Sequence, residues 1–210
     1  MSNLYSWLNT LIGLLVIVNP LLGVSVIAAM TENETRAQRR ATARSAALTV
    51  AIVLSLSALC GERVLSFFGI HIPEFQVGGG VLILLMAVSM LHARMSEVRH
   101  TEEEANEAQD REHVGVVPLG LPLLAGPGAI STAIIYAHRQ PGWLNLAIVV
   151  AEIWLVALLV WLALLSSDVL VRLLGKTGIN IATRIMGLLL SAIAIGFITQ
   201  GLKVLLPGLG

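Results

Sequence analysis

A chain of 210 residues that is 56% hydrophobic and 12% charged, with mean hydropathy +0.85, is not an ordinary soluble domain, which must cover its surface with polar groups. It reads as an integral membrane protein of all-α class. Zero net charge gives no footing for nucleic-acid binding, and a single cysteine, Cys60, excludes an intrachain disulfide and any multi-cysteine metal site.

The first apolar segment, Leu4–Met30, lacks a basic region before Trp7 and a clear cleavage site, so it reads as a retained helix. Near its centre stands Asn19-Pro20. The second, Ala43–Phe68, is interrupted late by Gly61-Glu62-Arg63, where it either continues or gives way to a short interfacial piece. The third, Phe75–Leu91, contains Gly78-Gly79-Gly80, which suits either tight helix packing or a loosened helix lining a pathway. Acidic and basic residues then fill the linker 92–115, a solvated loop in this reading. The fourth segment, Val116–Ala137, carries Gly126-Pro127-Gly128. The fifth, Leu144–Leu165, holds the one acid well inside an apolar span, Glu152. The sixth is Ile179–Leu202. Each is near the roughly 20 residues that a spanning helix needs.

Ten basic residues cluster on one side: Arg36, Arg39, Arg40 and Arg44, then Arg94, Arg99 and Arg111, then Arg172, Lys176 and Arg184. Arg63, Arg139 and Lys203 fall on the other. The positive-inside rule then puts the linker in the cytoplasm and both termini in the periplasm.

Pro20 and Pro127 are 107 residues apart, about half the chain. Gly69 and Gly175 are 106 apart, each after an apolar run that follows an acid, Glu62 or Asp168. Gln76-Val77-Gly78-Gly79 matches Arg184-Ile185-Met186-Gly187 at 108. These spacings predict two three-helix units, residues 1–91 and 116–210, in one membrane domain. An odd number of helices per unit makes the second inverted, a 3+3 inverted repeat with discontinuous helices 1 and 4.

A proline inside a helix removes one backbone donor and frees a carbonyl, so each break can start a half-helix near mid-membrane. Half-helix N-termini suit a carboxylate, and freed carbonyls suit an ammonium group or cation. The candidate substrate-binding residues are Asn19, Pro20, Gly23 and Ser25 in one break, and Gly126, Pro127, Gly128, Ser131 and Thr132 in the other. Asn19 could instead cap the second half-helix, and the hydroxyls could bond back to their own helices. Glu152 is a candidate proton carrier or a snorkelling interfacial acid. Arg184 could pair with Asp168, snorkel or reach the cavity. No H-E-x-x-H, G-x-S-x-G or nucleotide-binding motif is present, so no enzyme, catalytic residue, metal site or cofactor is expected.

Asn19-Pro20, the run Val116–Ser131 and the run Thr177–Gly187 resemble the MarC family of bacterial inner-membrane proteins, with the YchE-like members nearest. The resemblance covers essentially the whole chain. It implies the same six-helix layout and, from some relatives, transport of small neutral amino acids such as glycine and alanine, coupled to a proton or sodium gradient or run as export. The family usually has Arg-Ile-Ala-Gly-Gly on its third helix, whereas this chain has Gln76-Val77-Gly78-Gly79-Gly80. Gln76 and Arg184 are therefore candidates for coupling or gating beside Glu152. A non-transporting scaffold or regulator and a narrow channel are the competing readings. Glycines such as Gly187 and Gly196 would serve packing within a protomer or in a homo-oligomer.

Overall fold

The computed structural model describes residues 2–31, 35–92, 119–139 and 142–209. Among them every regular element is helical. In chain order these are α1 (Ser2–Val18), α2 (Pro20–Met30), α3 (Arg36–Phe67), α4 (Ile72–Leu91), a π turn (Leu119–Leu124), α5 (Pro127–His138), α6 (Trp143–Leu165) and α7 (Ser167–Leu205), then a 3-10 turn at Pro207–Leu209. The linker 92–115 lies outside the described residues beyond His92, so its expected form is not addressed.

Among the described residues five stretches are long and apolar enough to cross a membrane: Trp7–Ala28 across α1 and α2, then α3, α4, α6 and Thr177–Leu205 of α7. Six were expected. The fourth is absent from this set because Gly126 divides it into a π turn of 6 residues and a helix of 12, each too short alone.

Local chemistry sets the helix ends. Thr35 Oγ1 accepts from the Gln38 amide at 3.3 Å, and Gln38 Oε1 accepts from the Thr35 amide at 3.0 Å. This capping box starts α3 well before Ala43, the expected first residue. The helix then runs unbroken through Gly61-Glu62-Arg63. Gly61 is buried against the Ile134 side chain, so it admits a neighbour rather than ending the helix. Gly69 (φ 70°) closes α3, and Gly175 (φ 61°) kinks α7 so that Ser167–Leu174 forms a separate arm. Both glycines adopt the left-handed conformation that lacks a Cβ penalty.

Among the described residues α4 and α7 share the most extensive contact. A methyl group on Gly80 would lie 3.0 Å from the Ala194 carbonyl oxygen, and one on Gly187 would lie 3.0 Å from the Ala87 carbonyl oxygen. The same glycines meet Ile198 and Leu91 respectively. The residues in these contacts fall into three sets of equivalent positions in the two halves, each 107 apart in sequence: 80 and 187, 87 and 194, 91 and 198. Contact is thus reciprocal, as across a two-fold axis. In this register Arg184 corresponds to Val77, one residue away from the Gln76 match read from the sequence. Gly78 is exposed, and a methyl group there would meet nothing within 4 Å among the described residues, so the packing role given to all three glycines falls to Gly79 and Gly80 alone. Three consecutive helical residues sweep about 200° and cannot all face one neighbour.

Side chains tie the two ends of the bundle. At one end Arg39 Nη1 pairs with Asp168 at the start of α7, while its Nη2 donates to the Thr31 carbonyl, just past α2, at 2.9 Å. Asp168 is therefore the partner of Arg39, not of Arg184, which is exposed on α7. At the other end His138 Nε2 lies 2.7 Å from Glu62 Oε1, and Asn145 Nδ2 donates to the Ala137 carbonyl at 3.1 Å. α2 ends at the first end and α5 at the second, so these half-helices run in opposite directions. Leu14, Ile17, Leu54, Ile83, Ile153 and Leu190 fill a single core between them. Large apolar side chains such as Leu85, Trp154 and Leu188 face outward, as a bilayer requires.

Candidate functional site at two helix breaks

The first break is Asn19. Its φ of 53° and ψ of 71° place a non-glycine residue in the left-handed region, between an α1 that ends at Val18 and an α2 that starts with Pro20. Asparagine tolerates this conformation better than most residues. The Asn19 carbonyl accepts from the Leu22 amide at 3.1 Å, a tight turn into α2. Its side chain does not cap α2. It reaches α4 instead, with Nδ2 3.7 Å from Met90 Sδ. Asn19 is 1% exposed, and its Oδ1 is buried without a hydrogen-bond partner among the described residues. Such an orphaned acceptor is costly and calls for a donor.

The second break is Gly126, which is extended (φ −75°, ψ 175°) between the π turn and α5. Upstream, the Ala125 amide donates to the Gly120 carbonyl at 2.9 Å, the wide i to i−5 closure of a π turn. Pro127 then occupies the first helical position, where its missing N–H costs nothing. Gly126 and Gly128 are buried and Pro127 is exposed. A methyl group on Gly128 would lie 3.1 Å from Ile83 Cγ1 and 3.2 Å from Met86 Sδ. Both breaks therefore rest on α4, Asn19 on Met90 and Gly128 on Met86, one helical turn apart.

The remaining candidates divide. Gly23 is buried where α2 meets the π turn and α6: a methyl group there would lie 3.0 Å from Leu124 Cδ2 and 3.2 Å from Leu164 Cδ2. The three hydroxyls bond back to their own helices, Ser25 to the Leu21 carbonyl at 3.2 Å, Ser131 to Pro127 at 2.8 Å and Thr132 to Gly128 at 2.7 Å. Their oxygens keep acceptor capacity, but their protons are engaged. Ser131 also packs on Gly79 of α4. Pro20 is half-buried at the first turn of α2.

Glu152 is 8% exposed in the middle of α6, and its Oε2 has no hydrogen-bond partner among the described residues. It faces the bundle interior and does not snorkel. Gln76 lies away from the breaks on α4, where its Nε2 donates to Gln200 Oε1 of α7 at 3.2 Å. Among the described residues no group of three or more His, Cys, Asp or Glu is placed to hold a metal ion. Sequence reasoning missed Met86 and Met90, the platform beneath both breaks. Their helical spacing gives them away only once the breaks are placed.

A helical, multi-pass membrane protein with paired interruptions packed on a shared helix is the class these elements define. The chain belongs to the MarC family, whose description, MarC family integral membrane protein, it matches over residues 4–206. It is 43% identical over 198 residues to the UPF0056 membrane protein YhcE of Escherichia coli, covering 94% of this chain and 92% of that one. It is 37% identical over 203 residues to the UPF0056 membrane protein BU267 of Buchnera aphidicola (97% and 94% covered), and 34% identical over 200 residues to the UPF0056 membrane protein YvbG of Bacillus subtilis (95% of each). No solved structure matches the chain.

Proposed function

We propose that this protein is a secondary transporter of small neutral amino acids in the bacterial inner membrane, built as a six-segment 3+3 inverted repeat of YchE-like type with both termini periplasmic. The observation that carries the reading is the pair of breaks. α2 and α5 each begin at a buried interruption, run to opposite ends of the bundle and rest on the same helix, α4, the first break on Met90 and the second on Met86. The reciprocal contacts at a spacing of 107 residues support the repeat, with the π turn and α5 together as the fourth segment.

The substrate in this reading lies between Asn19-Pro20 and Gly126-Pro127-Gly128. Its carboxylate is held by amide groups in the first turns of α2 and α5, where helix N-termini offer unpaired donors. Its ammonium group satisfies Asn19 Oδ1, the buried acceptor that otherwise has no donor. Small side chains are selected because Gly23 and Gly128 keep the breaks closely packed. Access alternates as one repeat rocks against the other, with the Arg39–Asp168 pair closing one end and the His138–Glu62 pair the other. Glu152 carries the coupling proton.

Proteoliposomes with imposed proton or sodium gradients should accumulate labelled alanine and glycine above empty liposomes. Folded protein that moves no member of a broad amino-acid panel under either gradient sinks the reading. The scaffold alternative calls for continuous, merely kinked helices at both prolines with no midplane cavity. A φ of 53° at Asn19 and an extended Gly126 fit true interruptions better.

A further inference from the structure

We infer that the outer crevice between α3 and α6 is a binding site for an anionic phospholipid. The crevice lies on the lipid-facing surface, away from both breaks. At its polar end is a recess of about 610 Å³ walled by Arg40, Arg44 and Trp161. It continues as an apolar recess of about 240 Å³ between Ala47 and Ala51 of α3 and Trp154 of α6. From residue 37 to residue 51 the α3 wall is about 21 Å long at 1.5 Å per residue. That is room for a headgroup and a substantial part of an acyl chain.

The occupant follows from where polarity is placed. Arg40 and Arg44 are four residues apart on one helix face, and both are exposed. Neither has an ion-pair partner among the described residues, because Asp168 is held by Arg39. Two arginines at the mouth of an apolar groove match a phosphate and leave the rest of the ligand apolar. Trp161 supplies a third group. Its Nε1 is shielded from solvent with no acceptor among the described residues, beside the same recess. A phosphate or ester oxygen would satisfy it. Alanines on the α3 wall make the groove, and Trp154, 50% exposed at mid-span rather than at an interface, forms the opposite wall where an acyl chain would lie.

Native mass spectrometry of the purified full-length chain, given equal phosphatidylglycerol and phosphatidylcholine, tests this. Phosphatidylglycerol should be retained selectively. Arg40→Gln and Arg44→Gln should each weaken its retention about 5-fold, from about 1 kcal/mol per basic residue. Trp161→Phe, which keeps both charges and most of the packing, should weaken it about 2- to 10-fold. Arg172→Gln, an exposed arginine outside the crevice, should leave it unchanged. Equal retention of the two lipids overturns the proposal, as does undiminished selectivity in folded R40Q/R44Q or an equal loss in R172Q. Displacement of the lipid by inorganic phosphate at matched concentration also overturns it, in favour of a free-anion site.

Discussion

His138 Nε2 of α5 lies 2.7 Å from Glu62 Oε1 of α3, and this contact is the opposite-end counterpart of the pair that Arg39 of α3 makes with Asp168 of α7. In each case an acid near the end of one long helix meets a base that anchors a half-helix beginning at a break. Glu62→Gln should therefore raise amide exchange at the end of α5 and leave the Arg39 end unaffected, and Asp168→Asn should do the converse at the end of α2. Both carboxylates are more than half exposed, so each change should cost under about 1 kcal/mol of stability. Hydrogen exchange in detergent micelles or nanodiscs locates the effects. A uniform rise over the whole chain would contradict the assignment.

The reciprocal glycines predict a sharp contrast along one helix. Gly80→Val and Gly187→Val place side-chain carbons against a facing carbonyl and should each destabilise by about 1–3 kcal/mol. Gly78→Ala meets nothing and replaces glycine in a helix, so it should be neutral or stabilising by up to about 1 kcal/mol. Thermal unfolding in detergent measures all three.

Asn19 combines a backbone role with a side-chain role, and two substitutions separate them. Asn19→Gly keeps the left-handed turn and removes the amide, so the fold should survive while substrate affinity falls. Asn19→Val must hold a β-branched residue at φ 53° and should cost about 1–2 kcal/mol of stability through the backbone alone. Binding assays and melting curves on the same preparations distinguish the two losses.

Ser25→Ala and Thr132→Val remove hydroxyls that bond to their own helices. Neither should change transport by more than about 5-fold, since a local side-chain-to-backbone bond is worth roughly 1 kcal/mol at most sites. Glu152→Gln should behave differently. It should leave exchange of substrate across the membrane intact while abolishing gradient-driven accumulation, measured as counterflow against uptake.

The apolar segments were legible because a membrane imposes length and composition on every crossing. Phe75–Leu91 and Leu144–Leu165 were placed within three residues of α4 and α6. Family membership was legible in the motifs around the two prolines. The early start of α3 was not, because hydropathy is blind to a capping box built from Thr35 and Gln38. Nor was the π turn, whose wide closure depends on packing rather than on any one residue. At the breaks, Pro20 and Pro127 announced interruptions, but the partner surface did not announce itself. Met86 and Met90 are ordinary apolar residues in an apolar helix until a neighbour is set against them. Arg184 was legible as a basic residue near a membrane edge, whereas the one-residue register that moves it off Gln76 needed the facing carbonyls of Ala87 and Ala194.

Arg39 holds the Thr31 carbonyl and the Asp168 carboxylate with two nitrogens of one rigid guanidinium plane. A planar fork cannot stretch to follow two groups that separate, so one bond must be given up whole before the other is much strained. Departure of α2 from α7 at this end is therefore a step, with two discrete arrangements and little in between. A spectroscopic label there should report two exchanging signals whose proportions shift, not one signal that drifts.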